Sequence, residues 1–298
     1  MALDISAPRV VAPVGDRCGE GALWDAAGNA VWWCDINRFL VHRLTAADGA
    51  VRTWLFDEPV VALALTSDPA TMLVATGARL ILWNPTTDER RPQGFALDGW
   101  PTLRLNDGRP DPAGRFWIGS MRNNVGAEGE VLPAGGTDGV LFCIDGEGTT
   151  VHRDGIGVSN TLCWSPDRRT FYFADTLANV IWAHDYDMAS GTIGAPRVFF
   201  EGFHRGWPDG SSIDSEGYLW NCRFGGGCIV RIAPDGAIDR VIDLPVTNVT
   251  TCTFGGPGLR TVYVTTANAG APERERLAGS LFAIDSSVAG MPEHRFAL

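Results

Sequence analysis

Glu20, Asn106, Asn160 and Asp209 are four oxygen-bearing side chains that each stand five residues before a tight turn. The turns begin at Asp25, Asp111, Ser165 and Asp214, and two more begin at Asp68 and Gly255. Five residues before those two stand Leu63 and Thr250. Two carboxylates and two carboxamides form a set of hard oxygen donors, which suits Ca²⁺, Mg²⁺ or Mn²⁺. No Cys or His belongs to the set, which argues against a structural zinc site. A single Asp or Asn near a turn most often only caps backbone groups. Four at one offset in a sixfold repeat point to a shared site.

That sharing requires a fold that repeats around an axis. The turn starts step along the chain by 43, 43, 54, 49 and 41 residues. Each turn precedes an apolar run such as Val31-Trp32-Trp33, Phe116-Trp117-Ile118 or Tyr218-Leu219-Trp220. Short strands at this period indicate a propeller. We therefore expect an all-β, six-bladed β-propeller with a central metal site, built as one domain over residues 1–298. Four strands fit blade one, over 21–24, 30–35, 40–44 and 51–56, with hairpins at Asp48-Gly49, Asp145-Gly146 and Asp235-Gly236. Residues 8–14 read as a strand ahead of the first repeat, predicted to form the outer strand of blade six and so close the ring. A short strand is also expected at 293–298. Glu273–Leu277 reads as one helical turn with a solvated charged face. The stretch Arg122–Gly136 lacks strand character and reads as a lid.

Strand alternation adds the residues two positions before each ring position. These are Cys18, Val61, Arg104, Val158, Trp207 and Asn248. Arg104, Trp207 and Asn248 are candidates to line the channel mouth and touch substrate.

The net charge is −11, and no Lys/Arg cluster suited to phosphate appears, which excludes nucleic acid and anionic membrane as partners. No apolar run reaches the ~20 residues that span a bilayer. The seven cysteines are odd in number, contain no CxxC and lie mostly in apolar strand runs. They read as buried free thiols in a reducing compartment. Together with an N-terminus unlike a signal peptide, this gives a cytoplasmic expectation. Oligomeric state is left open.

Six spaced segments carry a resemblance. They are Cys18–Trp24, Arg104–Gly108, Gly119–Met121, Ser159-Asn160, Pro208-Asp209-Gly210 and Cys252–Gly256. In this order they resemble the SMP-30/gluconolactonase/regucalcin-like family over about residues 16–290. The resemblance implies a six-bladed propeller with one divalent metal. It makes Glu20, Asn160 and Asp209 the metal ligands, Asn106 a neighbour of metal or substrate, and Arg104 a substrate-binding residue. It also makes Asp209 the catalytic general base. Asn124 stands nearest a lid position that is acidic in some members, so it counts here as substrate-binding and their substrate preference does not carry over.

The function this implies is metal-dependent hydrolysis of a small sugar lactone, an aldonolactone of a pentose or hexose, to the free acid. The metal would be Ca²⁺, Mn²⁺, Zn²⁺, Mg²⁺ or Fe²⁺. Asp209 or a metal-bound hydroxide would activate the attack. The alternatives are a hydrolase of another ester class such as organophosphates, which a richer apolar pocket would favour, and a calcium-binding regulatory protein.

Overall fold

The computed structural model describes residues 3–298. Six antiparallel sheets form the blades of a propeller. Blade one holds Gly19–Asp25, Ala30–Asp35, Leu40–Thr45 and Val51–Leu55. The innermost strands of blades two to six are Val60–Leu65, Leu103–Pro110, Ser159–Trp164, Trp207–Ile213 and Val249–Gly255. Each packs against the next, and the sixth packs against the first.

Burial follows distance from the axis. Ala30–Asp35 and Met72–Thr76, second strands of their blades, are buried at every position. They are covered on both faces by neighbouring blades, so they read as continuous apolar runs without alternation. The outer strands Val51–Leu55 and Glu89–Ala96 are largely exposed. Between blades one and two, Trp32 stacks on Trp54 at 5.3 Å, and Trp83 meets both edge-on at 5.9 and 5.2 Å. Such pairs add to the stabilisation from burial alone.

The N-terminal strand Arg9–Ala12 pairs with Leu281–Asp285 as the outer strand of blade six, as the sequence predicts. Blade four departs from the four-strand rule. Thr192–Ile193 and Arg197–Phe200 both pair with Val180–Asp187. The C-terminus also departs from expectation. Residues 293–298 form no strand, only a parallel bridge between Phe296 and Thr66. The N-terminal strand already covers the edge of blade six, so the tail has no edge to join. It runs across the turn ends of the inner strands, where Phe296 N donates to Leu65 O and Ala297 N to Gly114 O. Glu273–Leu277 holds turns and no helix. Its charge is not all solvated: Glu275 accepts from Thr247 N at 2.7 Å and from Thr247 Oγ1 at 2.5 Å. The seven cysteines are free and six are buried. Among the described residues, no helix is long and apolar enough to cross a membrane.

The recurring turn has a mechanism in two blades. Asp214 Oδ1 accepts from the backbone N of Glu216 and Tyr218, both at 3.0 Å. Its Oδ2 accepts from Trp220 Nε1 at 2.9 Å and from Arg231 Nη2 at 2.7 Å. Asp111 does the same with Ala113 N, Arg115 N, Trp117 Nε1 and the Arg115 guanidinium. Both carboxylates are fully buried. One side chain thus shapes the turn and satisfies the indole of the strand that follows.

Asp214→Ala should therefore cost about 3–5 kcal/mol, because it strands the Trp220 indole and breaks a buried ion pair. Asp25→Ala removes only a bond from Ala27 N and should cost about 1 kcal/mol or less. Urea unfolding of both variants checks the difference; equal costs would remove the turn aspartate from the framework.

Candidate active site

The site is made by a defect repeated in every blade. Each innermost strand carries one residue more than the strand it pairs with. Such a bulge leaves its residues out of the ladder and re-aims their side chains. Glu20 and Asn160 are the last residues paired before the bulge. Asn106 and Asp209 are the first residues inside it. Gly21 and Thr161, which follow Glu20 and Asn160, adopt left-handed φ of 61° and 56°. For Thr161 this is an uncommon, strained conformation. Its hydroxyl holds it there, donating to Asp209 O at 2.5 Å and pairing with Ser211 Oγ at 2.9 Å. Gly210 has a steric role, since a Cβ there would collide with Thr251 on blade six.

Glu20, Asn106, Asn160 and Asp209 line one cavity of about 320 Å³, with Arg104, Asn124 and Trp207. The first four and Arg104 are 4–8% exposed, whereas Trp207 is 50% exposed at the rim. The other two ring positions do not line it. Leu63 belongs to the apolar core, and Thr250 Oγ1 donates to Gly19 O at 2.5 Å, tying blade six to blade one beside Glu20. Asn248 is buried outside the lining, contrary to its expected place at the channel mouth. Its carboxamide turns away to donate to Ala269 O at 3.0 Å, and Ala269 itself lines the cavity.

The two ring carboxamides are oriented differently. Asn160 Nδ2 donates to Thr176 Oγ1 at 2.8 Å, and Thr176 Oγ1 donates to Pro208 O at 2.8 Å. Asn160 Oδ1 is left with only a 3.4 Å bond from Asn106 Nδ2. Asn106 Oδ1 instead accepts from Arg104 Nη1 at 2.6 Å, and its Nδ2 donates to Ser159 O at 2.8 Å. The oxygen of Asn160 is thus the carboxamide oxygen more open to a cation, since that of Asn106 faces Arg104, and Glu20 and Asp209 add carboxylates beside it, with Glu20 Oε2 also accepting from Gly21 N at 2.9 Å. Among the described residues no three His, Cys, Asp or Glu side chains gather as a ligand cluster. The set is two carboxylates completed by a carboxamide.

Electrostatics points the same way. Burial, and then the charges of Asp209 and Asp107, push the Glu20 carboxyl well above its usual range. Burial and the Asp107 charge do the same to Asp209. Burial also pulls the Arg104 guanidinium down to about 10. Desolvated carboxylates with so little compensating charge favour a cation or a proton between them.

Arg104 is fixed on its other side by Asn124, whose Oδ1 accepts from Nε at 2.9 Å and Nη2 at 2.8 Å. Asn124 belongs to the stretch Arg122–Gly136 expected to be a lid. That stretch carries one antiparallel bridge, Val125 to Val131, and puts Val131 and Ala134 on the cavity. Its tip is anchored to blade one, since Gly129 O accepts from Asn37 Nδ2 at 3.0 Å and Arg17 Nη1 at 3.2 Å. Sequence reasoning missed Asn37, Thr161 and Thr176. Asn37 and Thr176 lie on second-strand connections, outside the turn-offset rule. Thr161 sits beside a ring residue, but nothing in its type announces a left-handed backbone.

Comparison with known proteins agrees with the fold. The family described as SMP-30/Gluconolactonase/LRE-like region matches residues 18–268. The chain is 33% identical over 289 residues to a pentonolactonase of Haloferax volcanii, covering 94% of each chain. It is 33% identical over 290 residues to a 6-deoxy-6-sulfogluconolactonase of Pseudomonas putida, again covering 94% of each. Among solved structures, a regucalcin of Agrobacterium tumefaciens described as a calcium-binding protein superposes with a TM-score of 0.90 at 29% identity, covering 98% of both chains. A match over most of the chain, with the six blades in place, makes this protein a member of the SMP-30/gluconolactonase/LRE-like family.

Proposed function

We propose that this protein is a divalent-cation-dependent lactonase that opens a small sugar-acid lactone to the free acid. The observation that carries the reading is the pair of buried carboxylates, Glu20 and Asp209, beside the free carboxamide oxygen of Asn160 in one cavity. Relatives that are lactonases of sugar acids support it. Glu20, Asn160 and Asp209 would hold the cation, and a hard-oxygen set of this kind accepts Ca²⁺, Mn²⁺, Mg²⁺, Zn²⁺ or Fe²⁺ with different affinities. When bound, the cation supplies Lewis acidity toward the lactone carbonyl.

The chain's own groups supply the rest. Arg104 commits four of its five N–H groups, to Asn124, Asn106 and Leu105. One N–H of Nη2 remains to hold a substrate oxygen. At a guanidinium this buried, such a bond is stronger than in water. Asp209 accepts the proton of the attacking water, and the water oxygen bonds to the carbonyl carbon. The ring C–O bond then breaks, the departing ring oxygen takes that proton back, and the new acid ionises. Asn106 holds Arg104 in register from below and Asn124 holds it from the lid.

A non-catalytic calcium-binding role is the second reading, favoured by the likeness to the Agrobacterium protein. Acid release from a panel of pentono- and hexonolactones, with the metal-stripped protein reloaded with each cation, decides between them. Turnover is expected, and cation binding with no turnover on any lactone would favour the second reading.

Two variants separate the proposed roles. Asp209→Asn keeps the shape and one oxygen but loses the charge and the proton acceptor. Cation affinity should fall, and a rate loss of about 10²–10⁴-fold should persist at saturating cation. Asn160→Ala removes a neutral oxygen only, so excess cation should restore much of its activity. Full restoration of Asp209→Asn by cation would reduce Asp209 to a ligand. Arg104→Ala should lower kcat/KM by about tenfold to a hundredfold with cation affinity retained. Loss of cation binding in that variant would show that Arg104 organises the site instead.

A further inference from the structure

The cavity has a polar floor and an apolar wall, and the wall bears on which lactone fits. Val131 on the lid, Leu177 after the second strand of blade four, and Trp207 on blade five are 55%, 46% and 50% exposed. All three line the cavity above the ring. Met121 and Phe224 continue the same wall. Phe224 is cross-strand partner to Trp207, and a Cβ on the adjacent Gly225 would touch the Trp207 ring at 3.1 Å. Exposed apolar side chains scattered singly carry no information, but a group of them around one opening does.

The polar groups near this wall are largely committed to one another. Arg104 has one N–H left, Asn37 Nδ2 is held by Gly129 O so that only its Oδ1 stays open, and the Thr176 hydroxyl lies between Asn160 and Pro208 O. A substrate hydroxyl set against the wall would lose its water partners and find few replacements. A methyl or methylene there would be buried favourably.

We propose that the preferred lactone carries an apolar substituent, methyl or longer, on the ring carbon bonded to the ring oxygen, packed against Val131, Leu177 and Trp207. This rests on the lactonase reading and narrows its substrate class. With the carbonyl at the ring of oxygens, the far side of a five- or six-membered ring faces the wall. A terminal hydroxymethyl or polyhydroxylated chain is disfavoured there.

The test uses the full-length protein supplemented with Ca²⁺ or Mn²⁺ and follows acid release. The substrates are γ-butyrolactones bearing hydroxymethyl, methyl, propyl or pentyl at that carbon, and a matched pair of hexonolactone and 6-deoxyhexonolactone. Methyl should exceed hydroxymethyl by about tenfold in kcat/KM. Each added methylene should raise kcat/KM by about fourfold until the wall is covered. In Val131→Asn and Leu177→Asn, both at half-exposed positions, the methyl-to-hydroxymethyl ratio should fall toward one with the thermal midpoint unchanged. Hydroxymethyl equal to or better than methyl, with lactones still hydrolysed, overturns the inference and leaves the lactonase reading standing. No hydrolysis of any lactone, or faster hydrolysis of a neutral aryl phosphotriester, overturns the lactonase reading and this inference with it.

Discussion

Two carboxylates kept from water in one cavity set the terms for their surroundings. Glu20 and Asp209 are each about 8% exposed, and burial dominates the upward shift of both. The nearest guanidinium, Arg104, is buried too and largely occupied by neutral partners. The arrangement persists because the backbone leaves the side chains little choice. Bulges re-aim them, and hydroxyls lock the bulges across blade boundaries. Thr161 ties the Asn160 strand to Asp209, and Thr250 ties blade six to Gly19 next to Glu20. A rigid site that holds unbalanced charge is preorganised for whatever ion or developing charge neutralises it.

That rigidity is supplied from farther out. A propeller's inner strands are short and cannot hold position on their own. Apolar packing fixes neighbouring blades against one another, as the aromatic rings of Trp32, Trp54 and Trp83 do between the first two. In blades three and five, a buried turn aspartate fixes the second strand to its turn. The N-terminal strand closes the ring, and the C-terminal tail crosses the turn ends of the inner strands. There Glu293 accepts from Thr253 at 2.6 Å and Phe296 packs on Phe116. The open end of the channel is therefore the end where the oxygens stand.

Much of this was legible in the chain because a propeller writes its symmetry into the sequence. A constant turn offset found Glu20, Asn106, Asn160 and Asp209, which line one cavity. The offset could not see that Glu20 and Asn160 are paired while Asn106 and Asp209 lie inside the bulge. It gave equal standing to Leu63 and Thr250, which point into core and backbone. Strand alternation placed Arg104 and Trp207 on the cavity but failed at Asn248. Asn248 stands in the same place relative to its bulge as Arg104 and Trp207 do to theirs, but its carboxamide finds a backbone acceptor, Ala269 O, to one side. The extra strand of blade four and the course of the tail depend on which edges remain unpaired after assembly, which is a global property. Asn37 and Thr176 act through a partner's orientation, and no single-residue pattern records that.

The apolar wall and the polar floor are physically linked. A hydrogen bond from Arg104 or an oxygen from Asp209 gains strength as water leaves the cavity. The side chains that exclude water from one side are Met121, Val131, Leu177, Trp207 and Phe224. A substrate that covers the half-exposed rim completes that exclusion, and one that carries hydroxyls to the rim brings water with it. Substrate fit and the electrostatic strength of the floor therefore change together. A polar substitution at the rim would be felt at the carboxylates even though it touches neither, and the lid, anchored through Gly129 to Asn37, is where the two meet.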